Sequence, residues 1–359
     1  MPSRDQSSAR SSDPDRLLAA ARRGDDGAFE ALIEPYRREL HAHCYRMLGS
    51  VHDAEDALQE ALVRAWRGIG RFEGRSSLRS WLYRIATNSS LRLIERRPKR
   101  VLPMDQGNPS DPHVELDAPL VESTWIEPYP DDQLGLEDGL ASPEARYEQR
   151  ESVELAFTAA VQHLPPLQRA ALIMSDVLGF KPAEVAEALE QTPASVYSAL
   201  QRARKATEER LPEQSQQETL RSLGDDGVSE VVERFVEAWE GADFEALRSM
   251  LAEDAVLAMP PQPHWFRGRD AVVEFLGLRP LVPGRTWRMA PARASGQMAL
   301  GSYVRNEPGA PLAAADLLVL TLSDDGRITD LTAFRDPKLF PSFGLPEAHA
   351  MDSEAGADL

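Results

Sequence analysis

The chain has one cysteine in 359 residues, Cys44. A single thiol excludes an internal disulfide and fits a reducing cytosol. No apolar run approaches the length that crosses a bilayer, and residues 1–15 are polar and Ser-rich rather than a charged-then-apolar leader. The expected location is therefore cytoplasmic, with no membrane partner. Cys44 stands in Leu40-His41-Ala42-His43-Cys44-Tyr45 on a predicted helix, where it reads as a small buried hydrophobe and not as a nucleophile or ligand. His41 and His43 lie two apart, so a helix sends them to different faces and they make a poor metal pair. Neither a metal nor a cofactor is expected. Positive charge is short as well: 40 Lys+Arg against 58 Asp+Glu leave a net of -18. Taken whole, that balance argues against a nucleic-acid partner.

Taken by segment, it does not. From Arg37 to Arg100 there are 14 Arg/Lys against 7 Asp/Glu, a net of +7. From Val101 to Glu154 there are 2 against 14, a net of -12, and from Leu223 to Leu359 there are 12 against 22, a net of -10. Screening confines exposed charges to about 10 Å at moderate salt, so local sign governs local contacts. A basic face survives the acidic total.

A chain of 359 residues suggests two or three domains. Composition divides it into a disordered stretch at 1–13, helices over 14–100, an acidic Pro-rich linker over 101–143 that is not a core element, and helices again over 144–211. A short polar linker at 212–224 precedes an α+β domain at 225–335 and a tail at 336–359. The tail carries Leu339, Phe340, Phe343 and Leu345, apolar where a disordered terminus would be polar.

Residues 53–88 hold the densest information. Ser50 and Asp53 resemble an N-cap and its reciprocal acidic partner. Ala54, Ala57, Leu58, Ala61, Leu62, Ala65 and Trp66 then form one buried helix stripe. Asp53, Asp56, Gln59 and Glu60 occupy the other side, an acidic face suited to a protein partner, although a solvated face or a helix-dipole effect would look the same. In the next helix Leu78, Trp81, Leu82, Ile85 and Ala86 are the buried stripe. Arg75, Arg79, Arg84, Asn88 and Arg92 are left exposed: arginine neutralises phosphates, and asparagine can pair with a base edge. Phe72, Trp81 and Tyr83 offer rings for an unpaired base, though the spacing of Trp81 also suits the core.

Further on, Leu164 to Val177 form a helix and Gly179 turns the chain. Lys181 to Leu189 form a short helix with Pro182 at its first position. Thr192 caps a third helix that starts at Pro193. Val185, Leu189, Val196 and Leu200 would pack this helix-turn-helix, leaving Ser195, Tyr197, Ser198, Gln201, Arg202 and Lys205 to face a major groove.

These two blocks together resemble the sigma-70 family of RNA polymerase initiation factors, in its extracytoplasmic-function subgroup. Residues 27–100 resemble sigma region 2 and residues 145–211 sigma region 4, carried by Asp53-Ala54-Glu55-Asp56 with Gln59-Glu60, by Phe72 to Ser77 with Trp81 to Asn88, and by Leu164 to Arg169 with the helix-turn-helix. The resemblance implies a bacterial transcription initiation factor whose partners are core RNA polymerase (its β′ clamp helices and β subunit) and promoter DNA. Asp53, Asp56, Gln59 and Glu60 would dock on the clamp helices. Phe72, Arg75, Arg79, Tyr83, Arg84, Asn88 and Arg92 would open and read the promoter -10 element. Ser195, Tyr197, Ser198, Gln201, Arg202 and Lys205 would meet the -35 element. The linker resembles the acidic segments that thread the polymerase RNA channel; its Trp125-Ile126-Glu127-Pro128-Tyr129-Pro130-Asp131 run is too aromatic for a plain spacer, and packing on the folded domains is the equal alternative.

After residue 224 the order is two helices, a strand over Ala255 to Met259, a third helix opened by Gly268, and strands near 286–293, 297–305, 312–322 and 327–334, the last pair turning at Asp325-Gly326. This order resembles SnoaL-like cone domains. The implied architecture is two all-α sigma domains plus a C-terminal α+β cone. Asp254, His264, Trp265 and Tyr303, with Arg305 and Asp330, are candidate pocket residues for a small-molecule effector. Fold similarity does not carry chemistry, so the cone is expected to modulate rather than catalyse. The alternative is a small-molecule isomerase or hydrolase tethered to a DNA-binding module.

Overall fold

The computed structural model describes residues 14–120, 124–134 and 143–349. The expectation of disorder over residues 1–13 lies outside them.

The first helical module is α1 (Pro14–Arg22), α2 (Asp26–Leu48), α3 (Val51–Ile69) and α4 (Leu78–Ile94). Local chemistry starts three of these helices. Asp25 caps α2 through the Ala28 amide, Ser50 caps α3 through the Asp53 amide at 3.0 Å, and Ser77 caps α4 through the Ser80 amide. Gly49, at φ 70°, ends α2, a conformation that costs a side-chain-bearing residue more. Most of the predicted stripe of α3 is buried against α2, with Leu62 and Trp66 half-buried and Leu58 and Tyr45 almost fully enclosed. Each such side chain contributes about 1.5–3 kcal/mol.

The Cys44 thiol is buried, and burial pushes it up to about 12, so its place is packing. His41 and His43 do diverge: His41 meets Tyr129 and His43 meets Thr87 at 2.8 Å. Burial first, then the cations Arg46 and Arg79, pushes the His43 imidazole down to about 3. The unfolded chain therefore binds more protons than the folded one between about pH 3 and 6.5. The stability that neutral His43 contributes is whole above pH 6.5 and is lost as pH falls, by up to about 1.4 kcal/mol per unit. His43→Asn should flatten the acid limb of the urea midpoint between pH 6.5 and 4. An unchanged acid limb would assign that loss to other groups.

The second module comprises α5 (Pro143–Glu151), α6 (Leu155–Gln162), α7 (Pro166–Leu172) with a π-helical continuation over Ile173–Val177, α8 (Pro182–Ala188) and α9 (Pro193–Glu208). Pro166, Pro182 and Pro193 all sit in the first helical turn, and the Thr192 hydroxyl accepts from the Ser195 amide at 3.2 Å. Val185, Leu189, Val196 and Leu200 are buried as the pattern requires. The two modules share one core: Tyr83 of α4 meets Phe180 edge-on at 5.3 Å, and Met174 lies against Thr87.

The third unit is α10 (Gln216–Glu240), α11 (Phe244–Met250), α12 (Arg269–Leu278) and a seven-stranded sheet: β1 (Leu251–Ala258), β2 (Trp265–Arg267), β3 (Thr286–Ala294), β4 (Gln297–Arg305), β5 (Leu312–Leu322), β6 (Ile328–Phe334) and β7 (Ala348–His349). The spatial order is β2-β1-β6-β5-β4-β3, with β7 on β5; β1 and β6 run parallel, and the other pairs are antiparallel. One face of the sheet packs on the helices through Leu257, Phe266, Leu300, Leu318, Leu320 and Leu331. The opposite face carries Ala299, Tyr303, Leu317, Val319 and Phe334, covered by Phe340 and Leu345 of the tail and by Leu102 and Ile126 of the linker. A sheet buried on both faces explains why strands of this domain read as nearly continuous apolar runs.

Two boundaries differ from expectation. Residues 216–223 are not linker: Ser215 and Glu218 form a capping box, and the first turns of α10 are helical up to a kink at Gly224. The apolar tail packs on the sheet, with the Tyr303 hydroxyl donating to the Pro346 carbonyl at 3.0 Å. The acidic linker is a core element in part: Trp125, Ile126 and Tyr129 are buried. Ile126 enters the apolar layer on the outer sheet face, and Tyr129 enters the core of the first module.

Candidate nucleic-acid and polymerase interface

The acidic face of α3 is present, but Asp53 is not on it. Asp53 is 2% exposed and ion-paired to Arg100, whose Nε lies 3.0 Å from Oδ2, and to Arg97 at 2.8 Å. The expected reciprocal arm of the capping box is absent because this carboxylate turns to the arginines instead. Asp56, Gln59 and Glu60 remain exposed; Asp56 also meets Arg97 at 3.4 Å, and Gln59 donates to Glu55. The linker takes over the N-terminus of α3. Glu127 accepts from the Ser50 hydroxyl at 2.9 Å and from the Val51 amide at 2.9 Å, a carboxylate at the positive end of the helix dipole.

The basic helix α4 and the loop before it form a pocket of about 270 Å³, lined by Arg71 to Ser76, Trp81, Arg84 and Glu187. Gly74, at φ 75°, gives the loop its bend. Phe72 and Trp81 form the floor, ring to ring at 5.0 Å. Arg75 is exposed beside Glu73, Arg92 is exposed, and Asn88 is half-buried. Tyr83 does not face solvent. Its hydroxyl donates to Glu39 at 2.9 Å, and burial, then the Glu39 charge, pushes its phenol up. Arg79 pairs with Glu39 at 3.3 Å and lies over both the Tyr83 and Phe180 rings, at 4.8 and 4.9 Å. Arg84 faces Glu187 of α8 at 3.9 Å. The second module therefore sits on part of the surface expected to read the -10 element. Phe180, Glu187 and Glu39 were not singled out by sequence. Only Phe180, apolar in a turn directly after Gly179, carried a signal.

On α9 the expected residues share one open face. Ser195, Tyr197, Ser198, Gln201, Arg202 and Lys205 are all exposed, and Tyr197 is 60% exposed, a large ring left in water. Arg204, on the flank, is tied to Asp176 at 2.7 Å.

The candidate pocket of the cone is corrected. Asp254 is exposed, and Tyr303 lies on the outer sheet face. His264 and Trp265 hold the linker: His264 shares hydrogen bonds with the Ser110 hydroxyl and the Asp117 amide, and the Trp265 indole donates to the Gly107 carbonyl at 3.0 Å. These four groups do not converge. The helix-facing side is filled instead by side chains such as Phe235, Trp239 and the stacked pair Phe266 and Phe275. Asp330 does neighbour Asp254, and burial followed by that like charge pushes its carboxyl up.

A helical module with an exposed acidic face, a basic aromatic pocket, a helix-turn-helix whose last helix is open to solvent and a fused α+β cone are the parts of a DNA-binding factor that works with a protein partner. The comparisons agree segment by segment. Residues 32–100 match the Sigma-70 region 2 family, residues 154–206 the Sigma-70, region 4 family and residues 232–331 the SnoaL-like domain family. The chain is similar to the ECF RNA polymerase sigma factor SigG of Mycobacterium tuberculosis, 42% identical over 335 residues that cover 93% of this chain and 87% of that protein. It is similar to SigW of Bacillus subtilis at 30% identity, over 55% of this chain and 95% of that protein. The crystal structure of SigJ from Mycobacterium tuberculosis shares the fold, with TM-score 0.55 at 24% identity over 88% of this chain and 99% of that one. The chain belongs to the extracytoplasmic-function subfamily of sigma-70 RNA polymerase sigma factors. It is a transcription initiation factor and not an enzyme.

Proposed function

We propose that the structure is a closed form in which the promoter-reading and polymerase-docking surfaces are held together by the second module, the linker and the cone. In the open form Asp56, Gln59 and Glu60 of α3 dock on the β′ clamp helices. The pocket between Phe72 and Arg84 captures a -10 base, and α9 meets the -35 duplex. Such work places the protein in the cytoplasm.

The contact of Phe180 and Glu187 with Arg79, Tyr83 and Arg84 carries this reading. Elements named for positions -10 and -35 lie about 25 base pairs apart, roughly 85 Å along B-DNA at about 3.4 Å per pair. The recognition helix α9 has 16 residues, about 24 Å at about 1.5 Å each, and its hairpin partner α8 touches α4. The two reading surfaces cannot span both elements while this contact stands. Opening is thus part of function, and the acidic cone and linker bias the equilibrium.

A pull-down tests the docking. Full-length chain should retain core polymerase, and Asp56→Arg with Gln59→Ala should release it; retention by that variant would remove α3 from the docking surface. On the DNA side, Arg202→Ala should weaken binding to the -35 element by about 1–3 kcal/mol while leaving polymerase retention unchanged. Equal losses in both assays would point to misfolding and not to lost DNA contacts.

A further inference from the structure

A cleft of about 660 Å³ lies outside the cone, where the linker, α6, the end of α9 and the outer sheet face meet. That volume is within the range of small-molecule sites, about 300–1,000 Å³. Its walls differ in chemistry. One is apolar, built from Leu102 and Met104 of the linker and Leu155 and Ala159 of α6. The facing wall is polar, built from Thr321, Asp330 and Thr332. Register creates it: Thr321 stands opposite Asp330 and Val319 opposite Thr332, so all three polar groups leave the sheet on its outer side.

Two of these groups are open to a ligand. Thr332 is 5% exposed, and its hydroxyl faces the cleft. Asp330 is half-buried and bonded by Thr329; Arg267 acts on it electrostatically, but no Lys, Arg or His pairs with it directly among the described residues. Both keep acceptor capacity that a ligand's donors can meet. An ammonium group has three donors and no acceptor, enough to serve both the carboxylate and the hydroxyl.

We propose that this cleft binds a small amphipathic organic amine, its ammonium held by Asp330 and Thr332 and its apolar body lying against Leu102, Met104 and Leu155. The walls come from the linker, the second module and the cone, so such a ligand fits only the closed form. By linkage it would favour that form. This consequence rests on the closed-form reading above; the site itself does not.

Binding of tryptamine to the full chain, measured by saturation-transfer NMR and thermal shift, tests the site, with tryptophol and indole-3-acetate as neutral and anionic matches. Tryptamine should bind and raise the melting temperature, tryptophol should bind at least about tenfold more weakly, and indole-3-acetate should not compete. Asp330→Asn should abolish the preference for amine over alcohol, and Ala159→Trp should block all binding while the chain still melts cooperatively. Equal binding of amine and acid, an Asp330→Asn chain that keeps the preference, or no binding in millimolar excess would overturn the proposal. Run-off transcription separates the two readings. Tryptamine should lower output from wild type and not from Asp330→Asn. If it binds through Asp330 but leaves output unchanged, the site stands and the closed-form reading falls.

Discussion

Replacing Arg100 by methionine should lower the stability of the full chain by about 3–5 kcal/mol, the cost of leaving a buried charge without its partner. Arg100 is 4% exposed and sits at the join of three segments. It pairs with Asp53 at the start of α3, donates to the Trp125 carbonyl at 2.7 Å and reaches Glu127 at 3.2 Å. Methionine keeps the apolar stem and removes the guanidinium, so the loss combines the unpaired Asp53 carboxylate with the lost hydrogen bonds to the Trp125 carbonyl and Glu127. Arg97 remains near Asp53 but is 35% exposed along its side chain, and its pairing is correspondingly screened. The double change Arg100→Met with Asp53→Leu removes both charges and should recover most of the loss, since a buried pair is often matched by apolar residues of similar volume. Urea unfolding followed by far-ultraviolet circular dichroism gives both numbers. A single variant that costs less than about 1 kcal/mol would mean that water reaches Asp53 and the pair is a surface one.

The elements legible in the sequence are those whose signals are local. Ser50 and Thr192 cap helices where the sequence places them, because a cap needs only a side chain and an amide two or three residues on. The strands between residues 286 and 334 were legible for a similar reason: short apolar runs and the turn at Gly326 are short-range patterns. Strands β2 and β7 span three and two residues, too few to make a pattern.

The rest was hidden by partners distant in sequence. Nothing near Asp53 says that Arg100 will neutralise it, and helix periodicity therefore leaves it on the polar face. His264 and Trp265 look like pocket residues in isolation, whereas their partners lie about 150 residues earlier, in the linker. Tyr303 failed for a different reason. Alternation assigns residues to two faces of a strand but not which face turns to the helices, and here both faces are buried. The linker was legible in part. Its proline content and charge describe a spacer, while its aromatic run pointed equally to packing on the folded domains, and Trp125, Ile126 and Tyr129 are buried there.

Tyr129 concentrates those contacts, and Tyr129→Ala should shift the closed form towards the open one by about a hundredfold. The ring is fully buried in the first module, 4.6 Å from the Tyr45 ring, with its hydroxyl 2.9 Å from His41 Nδ1. Its backbone faces the cone: the amide donates to the Ser295 hydroxyl at 3.0 Å, and the carbonyl accepts from the Ser295 amide at 2.7 Å. One residue thus pegs the β3–β4 turn to the helical core. Removing a buried aromatic ring costs about 3–5 kcal/mol, and the part felt by docking need only reach about 2.8 kcal/mol for a hundredfold change. Tyr129→Phe keeps the ring and loses one hydrogen bond, so its effect should be about tenfold or less. Hydrogen exchange reads the opening without transcription. The Val51 amide is held by Glu127, two residues from the peg, and its protection should fall in Tyr129→Ala while that of mid-helix α3 amides persists. In reconstituted transcription the same variant should raise promoter-specific output at limiting polymerase. If exchange at Val51 rises and output does not, the linker opens without releasing the reading surfaces, and the contact of Phe180 and Glu187 with α4 would then be the barrier that remains.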